Sequence, residues 1–212
     1  MTPFKMLTAL LLGFLVSRTF ATDKERTYLN LQPKANQKLK DTLHENPFEN
    51  NNLAQLTAGK QQLCGVVVDI GEGFIQLGST QVKDKPDRVD GIPVGRNFAR
   101  LHILHATGHS TDDNTVIGFY VIHYGDKTSA ACEVVYGQDV RDWWYGEEDK
   151  EPTRAKVAWK GENESAKLAG RKIRLYLSTW ENPKPDKKVV SIDYVAAEAT
   201  ICAPFCVAMT VE

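Results

Sequence analysis

From Leu63 onward the apolar positions fall into short runs with the period of strands. The clearest alternation sets Ile173, Leu175 and Leu177 against Arg174, Tyr176, Ser178 and Trp180. Successive side chains of a strand leave on opposite faces, so this run predicts one core face and one wet face. Val116–Tyr124 is apolar at both parities and is expected to be a central strand covered on both sides. Similar runs occur at Cys64–Ile70, Phe74–Leu77, Phe98–Ala106, Ala131–Val135, Lys156–Trp159, Arg171–Thr179, Val189–Tyr194 and Phe205–Val211. Gly, Pro and Asp clusters separate them, and no amphipathic helix intervenes. The pattern predicts an all-β fold over 60–212, an antiparallel jelly-roll or β-sandwich.

The stretch 22–59 is polar and reads as a short N-terminal arm or linker. Ala35, Leu39 and Leu43 recur at four-residue spacing, which predicts a short helix over Ala35–His44 ended by Pro47 and Asn50-Asn51-Asn52. So few apolar residues cannot fold alone, so the arm is expected to pack on the sandwich. Residues 1–21 read as an export signal: Lys5, an apolar run from Leu7 to Val16, then Thr19-Phe20-Ala21 as the cleavage segment. The run is shorter than the roughly 20 residues that span a bilayer. A secreted or periplasmic protein starting near Thr22 is expected, with no membrane span after signal removal; an uncleaved anchor is the alternative.

Composition narrows the picture in two ways. A net charge of −1 over 212 residues lacks the electrostatic footprint of a nucleic-acid binder. Four Cys in an exported chain permit disulfides. Cys202 and Cys206 flank Ala203-Pro204-Phe205, and in a continuous strand they would stand about 13 Å apart, too far to bond. A bridge needs a turn or bulge at Pro204; otherwise these are buried apolar thiols.

Candidate chemistry concentrates in Tyr136–Trp144. Adjacent Trp143 and Trp144 cannot both enter one core from an extended strand, so one is expected near the surface beside Asp139, Arg141 and Asp142. Trp180, Glu181 and Asn182 add a second ring and more polar partners. Rings that stack on sugar C–H faces and charged groups that bond hydroxyls are what a carbohydrate site needs. The competing reading is that these aromatics are core or edge plugs and that Arg141 pairs with Asp139 or Asp142. His102, His105 and His109 do not form a metal cluster, because strand residues three apart face opposite ways. Asp112-Asp113-Asn114 offers loop oxygens for a structural Ca²⁺, or is simply a polar turn. Gly71-Glu72-Gly73 reads as a strand turn, and no Gly-x-Ser-x-Gly elbow is present. Asn163-Glu164-Ser165 matches a glycosylation sequon. No catalytic residue and no metal ligand set is assigned.

Phe74–Leu77, Gly91-Ile92-Pro93-Val94-Gly95, Leu101–Thr107, Tyr136–Trp144, Thr179–Pro183, Ala203-Pro204-Phe205 and Leu31–Lys38 together resemble exported bacterial modules of galactose-binding-like, carbohydrate-binding-module-like type. The resemblance spans Leu31 to Glu212. It implies a jelly-roll β-sandwich and sugar binding by analogy of fold, and it carries no catalytic residues. The expected function is a non-catalytic binding module for carbohydrate or another cell-envelope polymer. The alternatives are a structural domain that buries Tyr136–Trp144 against a protein partner, and a glycan-active hydrolase with two carboxylates on one cleft.

Overall fold

A computed structural model describes residues 26–44 and 50–212. The expected export signal over 1–21, its cleavage near Thr22, and Pro47 lie outside the described residues. Fourteen strands form, all paired antiparallel: β1 (Thr27–Tyr28), β2 (Gln37–Lys38), β3 (Gly59–Leu63), β4 (Val66–Ile70), β5 (Gly73–Gln76), β6 (Arg88–Arg96), β7 (Arg100–Gly108), β8 (Val116–Tyr124), β9 (Ser129–Val135), β10 (Trp144–Tyr145), β11 (Lys156–Gly161), β12 (Lys172–Glu181), β13 (Val189–Ala196) and β14 (Ala203–Val211). Among the described residues the chain is all-β apart from a 3₁₀ turn at Gln32–Lys34 and a five-residue helix, α1 (Glu164–Leu168).

One sheet runs β10-β12-β7-β14-β5-β2, with β1 also on β14 and β11 also on β12; a second runs β6-β13-β8-β9; β3 and β4 form a hairpin. Each expected run contains a strand. β3, β6 and the two-residue strands β1, β2 and β10 were not predicted, and β6 shows why. Gly91 and Gly95 adopt positive φ, and Pro93 has no N–H to give. In sequence these read as loop punctuation, while at the edge of the second sheet they are tolerated because the outer side needs no ladder.

Coverage of the sheets is the reverse of what alternation predicts. Arg174, Tyr176 and Ser178, expected on a wet face of β12, are buried, and β7 and β14 are buried at almost every position. β8, expected to be covered on both sides, alternates buried with half-buried residues and has one core face. The reason is layering. One face of the first sheet meets the second sheet, where Tyr120 of β8 reaches His105 of β7 at 3.3 Å. Its other face is covered by the β3–β4 hairpin and the arm: Thr210 donates to the Val67 carbonyl at 3.1 Å, and the arm's Leu39, Leu43 and Leu53 are buried in the same core as Phe74 and Phe205. On the same face the His44 ring lies against bare Gly108, where a Cβ would come within 2.0 Å of Nε2.

The arm therefore belongs to the core rather than linking to it. Leu29, Leu31, Leu39, Leu43, Leu53 and Leu56 are all buried in it. The helix expected over Ala35–His44 does not form. After the 3₁₀ turn the chain extends into β2 and pairs with β5. Its amides dock on the β5 backbone: Gln32 bonds both the carbonyl and N–H of Gly73, and Asn36 bonds both those of Gln76 at 2.8 Å. Side-chain amides that mimic a strand edge outcompete a weak helix.

Candidate functional site

The site is built by the chain that leaves β9. At Gly137 (φ +80) it reverses, a turn that requires glycine both for its positive φ and because any Cβ there would strike Asp113 at 2.5 Å. Asp139 is buried and accepts from the Val135 N–H at 2.8 Å and from Arg154 Nε at 2.7 Å, so it pins the reversal. The segment then runs beside β7, where the Trp143 N–H donates to the Thr107 carbonyl at 2.9 Å. Opposite faces of this stretch send the two tryptophans apart, as a strand must.

Trp143 goes inward. It is 1 % exposed and meets Phe205 edge-on at 5.8 Å, with His44 edge-on at 6.3 Å. It is a core residue and presents no face to a ligand, which corrects its expected role. Asp139 is likewise a structural anchor. Trp144 keeps part of its ring exposed while Nε1 donates to Asn51 Oδ1 at 3.0 Å, so the arm fixes its orientation.

Trp144 lines a cleft of about 620 Å³ together with Tyr136, Arg141, Asp142, Arg171 and Arg174. Arg141 pairs with Asp113 at 2.9 Å, not with Asp139 or Asp142. Arg171 pairs with Asp149 at 2.7 Å. Asp142 accepts from the Trp144 N–H at 3.0 Å and from Ser110 at 3.3 Å. Burial is the first cause that pushes its carboxyl up to about 6.

Arg174 is the residue that sequence reasoning missed. It is 3 % exposed, its guanidinium carbon lies 4.7 Å from the Tyr145 ring centre and 5.4 Å from that of Tyr176, and Nη2 donates to the Lys150 carbonyl at 3.1 Å. Nε has no partner, and among the described residues no carboxylate lies within ion-pair distance. Its polar alternation with Ile173 and Leu175 looked like a solvated face. In the sequence the available signal is Tyr176, two residues along on the same face; Tyr145 comes to Arg174 only through the pairing of β10 with β12.

Trp180, Glu181 and Asn182 stand at the other end of β12, about 20 Å from Arg174 at the rise of a strand, and do not join the cleft. Glu181 meets Arg100 at 3.1 Å, while buried Asn182 accepts from Tyr124 at 2.6 Å and donates to the Phe98 carbonyl at 2.8 Å. Glu181 and Asn182 tie strand ends together.

The remaining motifs are structural. His102 shares a hydrogen bond with Thr179 at 2.8 Å, whereas His105 lies between Ser178 and Tyr120 on the opposite face, so they do not converge. Asp113 serves Arg141 and the Asn114 side chain accepts from Gln138 at 2.7 Å, so the Asp112-Asp113-Asn114 turn braces the cleft rim. Among the described residues no group of three or more His, Cys, Asp or Glu is arranged to hold a metal ion. All four thiols are free; β14 runs on through Pro204, which removes the turn a Cys202–Cys206 bridge would need. The sequon's Asn163 is buried, caps α1 by accepting from the Ala166 N–H at 2.7 Å, and donates to Asn51 and Asn52. It has no free amide to offer. No protein-family model matches the chain, and no curated protein does.

Proposed function

We propose that the chain is an exported, non-catalytic binding module of jelly-roll, galactose-binding-like type, for carbohydrate or another cell-surface polymer. Its site is the cleft between Trp144 and Arg174. The observation that supports this reading is the meeting of a partly exposed indole, Arg141 and Asp142 on one cleft. A fixed ring gives the apolar face of a sugar something to stack on, and the charged groups give its hydroxyls directional partners. The test is a glycan array probed with the wild-type chain and with Trp144→Ala. Binding that weakens about tenfold in Trp144→Ala, the scale of one lost aromatic contact, supports the site. Binding that is unchanged by Trp144→Ala removes it.

A second reading, a glycan-active hydrolase, draws on Asp142. An Asp142 carboxyl pushed up to about 6, on a cleft also lined by Asp149 and Glu148, supplies the elements of an acid and a base. Release of reducing ends from a bound glycan, abolished by Asp142→Asn, would replace the binding-module reading with this one.

A further inference from the structure

We infer that the cleft recognises an acidic sugar, and that Arg174 receives its carboxylate. The inference rests on the binding-module reading and specifies its ligand. The four cations on the cleft are not equivalent. Arg141 and Arg171 are each balanced by an acid, Asp113 and Asp149. Lys150 is on an exposed stretch of the rim. Arg174 alone is both buried and without an ion-pair partner among the described residues.

A guanidinium removed from water and left unpaired costs several kcal/mol, and a protein keeps one only where something offsets that cost. Here the Tyr145 and Tyr176 rings offset part of it through cation–π contact, and the Lys150 carbonyl takes one hydrogen bond. What remains is the planar edge of a guanidinium that lines the cleft, its Nε buried and without a partner. A carboxylate matches such an edge with two parallel hydrogen bonds, which an ammonium could not provide with the same geometry. The neighbouring aromatic, Trp144, is then placed to meet the sugar ring that carries the carboxylate.

The acidic groups on the rim do not oppose this. Asp113 and Asp149 are neutralised by their arginines. Asp142 accepts two hydrogen bonds from its own neighbourhood rather than pairing with Arg174. Asp112 and Glu148 are exposed, where their fields are screened.

The experiment compares galacturonate, glucuronate and alginate oligomers with their carboxyl-reduced forms, by calorimetry with the wild-type chain. Since the comparison changes the ligand and not the protein, a variant that fails to fold cannot confuse it. A charge-assisted bidentate contact predicts that at least one acidic oligomer binds about tenfold or more tightly than its reduced form. Arg174→Lys, which keeps the charge but loses the fork, is expected to lose most of that preference. Equal binding of acidic and reduced forms overturns the inference and leaves the module reading standing. Preference for a sulfated glycan over uronates of equal charge also overturns it. If no acidic or neutral oligosaccharide binds, the inference and the module reading fail together.

Discussion

Two groups of buried polar side chains share β12, and they are held in opposite ways. At Ser178 the polar atoms answer one another: His105 takes Ser178 at 2.9 Å on one ring nitrogen and Tyr120 at 3.3 Å on the other, and Tyr120 stacks on Tyr194 at 4.4 Å. This cluster is sealed between the sheets: the hydrogen bonds of His105, Ser178 and Tyr120 close on one another, while the stacked Tyr194 hydroxyl is buried without a partner. At Arg174, four residues away, a guanidinium just as withdrawn from water lines a cleft with the half-buried Asp142, yet the two form no ion pair. Burial alone therefore does not separate scaffold from site. What separates them is whether a buried group with an unmet hydrogen bond is sealed in the core, as the Tyr194 hydroxyl is, or lines a cleft, as Arg174 does.

The largest effect is expected from the tryptophan pair, which sits across the same divide. Trp143→Ala empties a sealed position and should cost about 3–5 kcal/mol in chemical denaturation. Trp144→Ala should cost far less stability, about 1–2 kcal/mol for the half-buried ring and its bond to Asn51, and instead impair ligand binding. Equal losses of stability from the two would erase the distinction drawn between core and cleft.

The next effect is a pair of opposed pH dependences. Burial pushes His105 down to about 4 and His44 down to about 3. For such a group the unfolded chain takes up protons first as pH falls. The stability it contributes is full above about 6.5 and lost as pH drops toward the folded value. For His105 alone this amounts to about 3 kcal/mol. Asp142 runs the other way. Its folded value of about 6 stands above the ordinary 3.8, so its contribution is full below 3.8 and lost as pH rises through 6. Wild-type stability should fall on acidification from pH 7 to pH 4 with part of the loss returned by Asp142. Asp142→Asn should make that fall steeper, and His105→Gln should flatten it. Urea titrations across this range that leave Asp142→Asn parallel to wild type would show that its carboxyl is not withheld from water.

A smaller effect follows at neutral pH. Asp142→Asn should raise stability by about 1–2 kcal/mol, less than the whole shift implies because the residue keeps some contact with solvent. The same change should weaken binding at the cleft, the expected exchange of stability for function.

The strands were legible in the sequence because period-2 alternation is local, and Val116–Tyr124 matches β8 at both ends. Which faces are covered was not legible, because coverage is decided by what lies across the sheet. A polar arm with scattered Leu gave no sign that it would cover β7 and β14 while β8 stayed open on one side. The opposed tryptophans were readable from adjacency alone, and Trp144, Arg141 and Asp142 do share the cleft. Trp180 could not be placed, because distance along a strand says nothing of which end holds a pocket. Arg174 was hidden by the same alternation that revealed its strand, since a buried Arg and a solvated Arg occupy the same parity.

The smallest effect tests the divide within one residue type. Cys206 belongs to the sealed side: it lies against Tyr120, and burial pushes its thiol up to about 12. Burial likewise raises Cys132 to about 12 and Cys202 to about 11. Cys64 is exposed at the two-residue tip of the β3–β4 hairpin, where it and Gly65 both adopt positive φ (50 and 85). That geometry is a primed turn, which Asn enters more readily than Cys. A thiol reagent should label one Cys per native chain and all four in denaturant. Cys64→Asn should abolish native labelling and raise stability by up to about 0.5 kcal/mol. Rapid native labelling of Cys206 in that variant would show that the inter-sheet cluster opens, and the closed hydrogen bonds of His105, Ser178 and Tyr120 would then no longer distinguish it from the cleft.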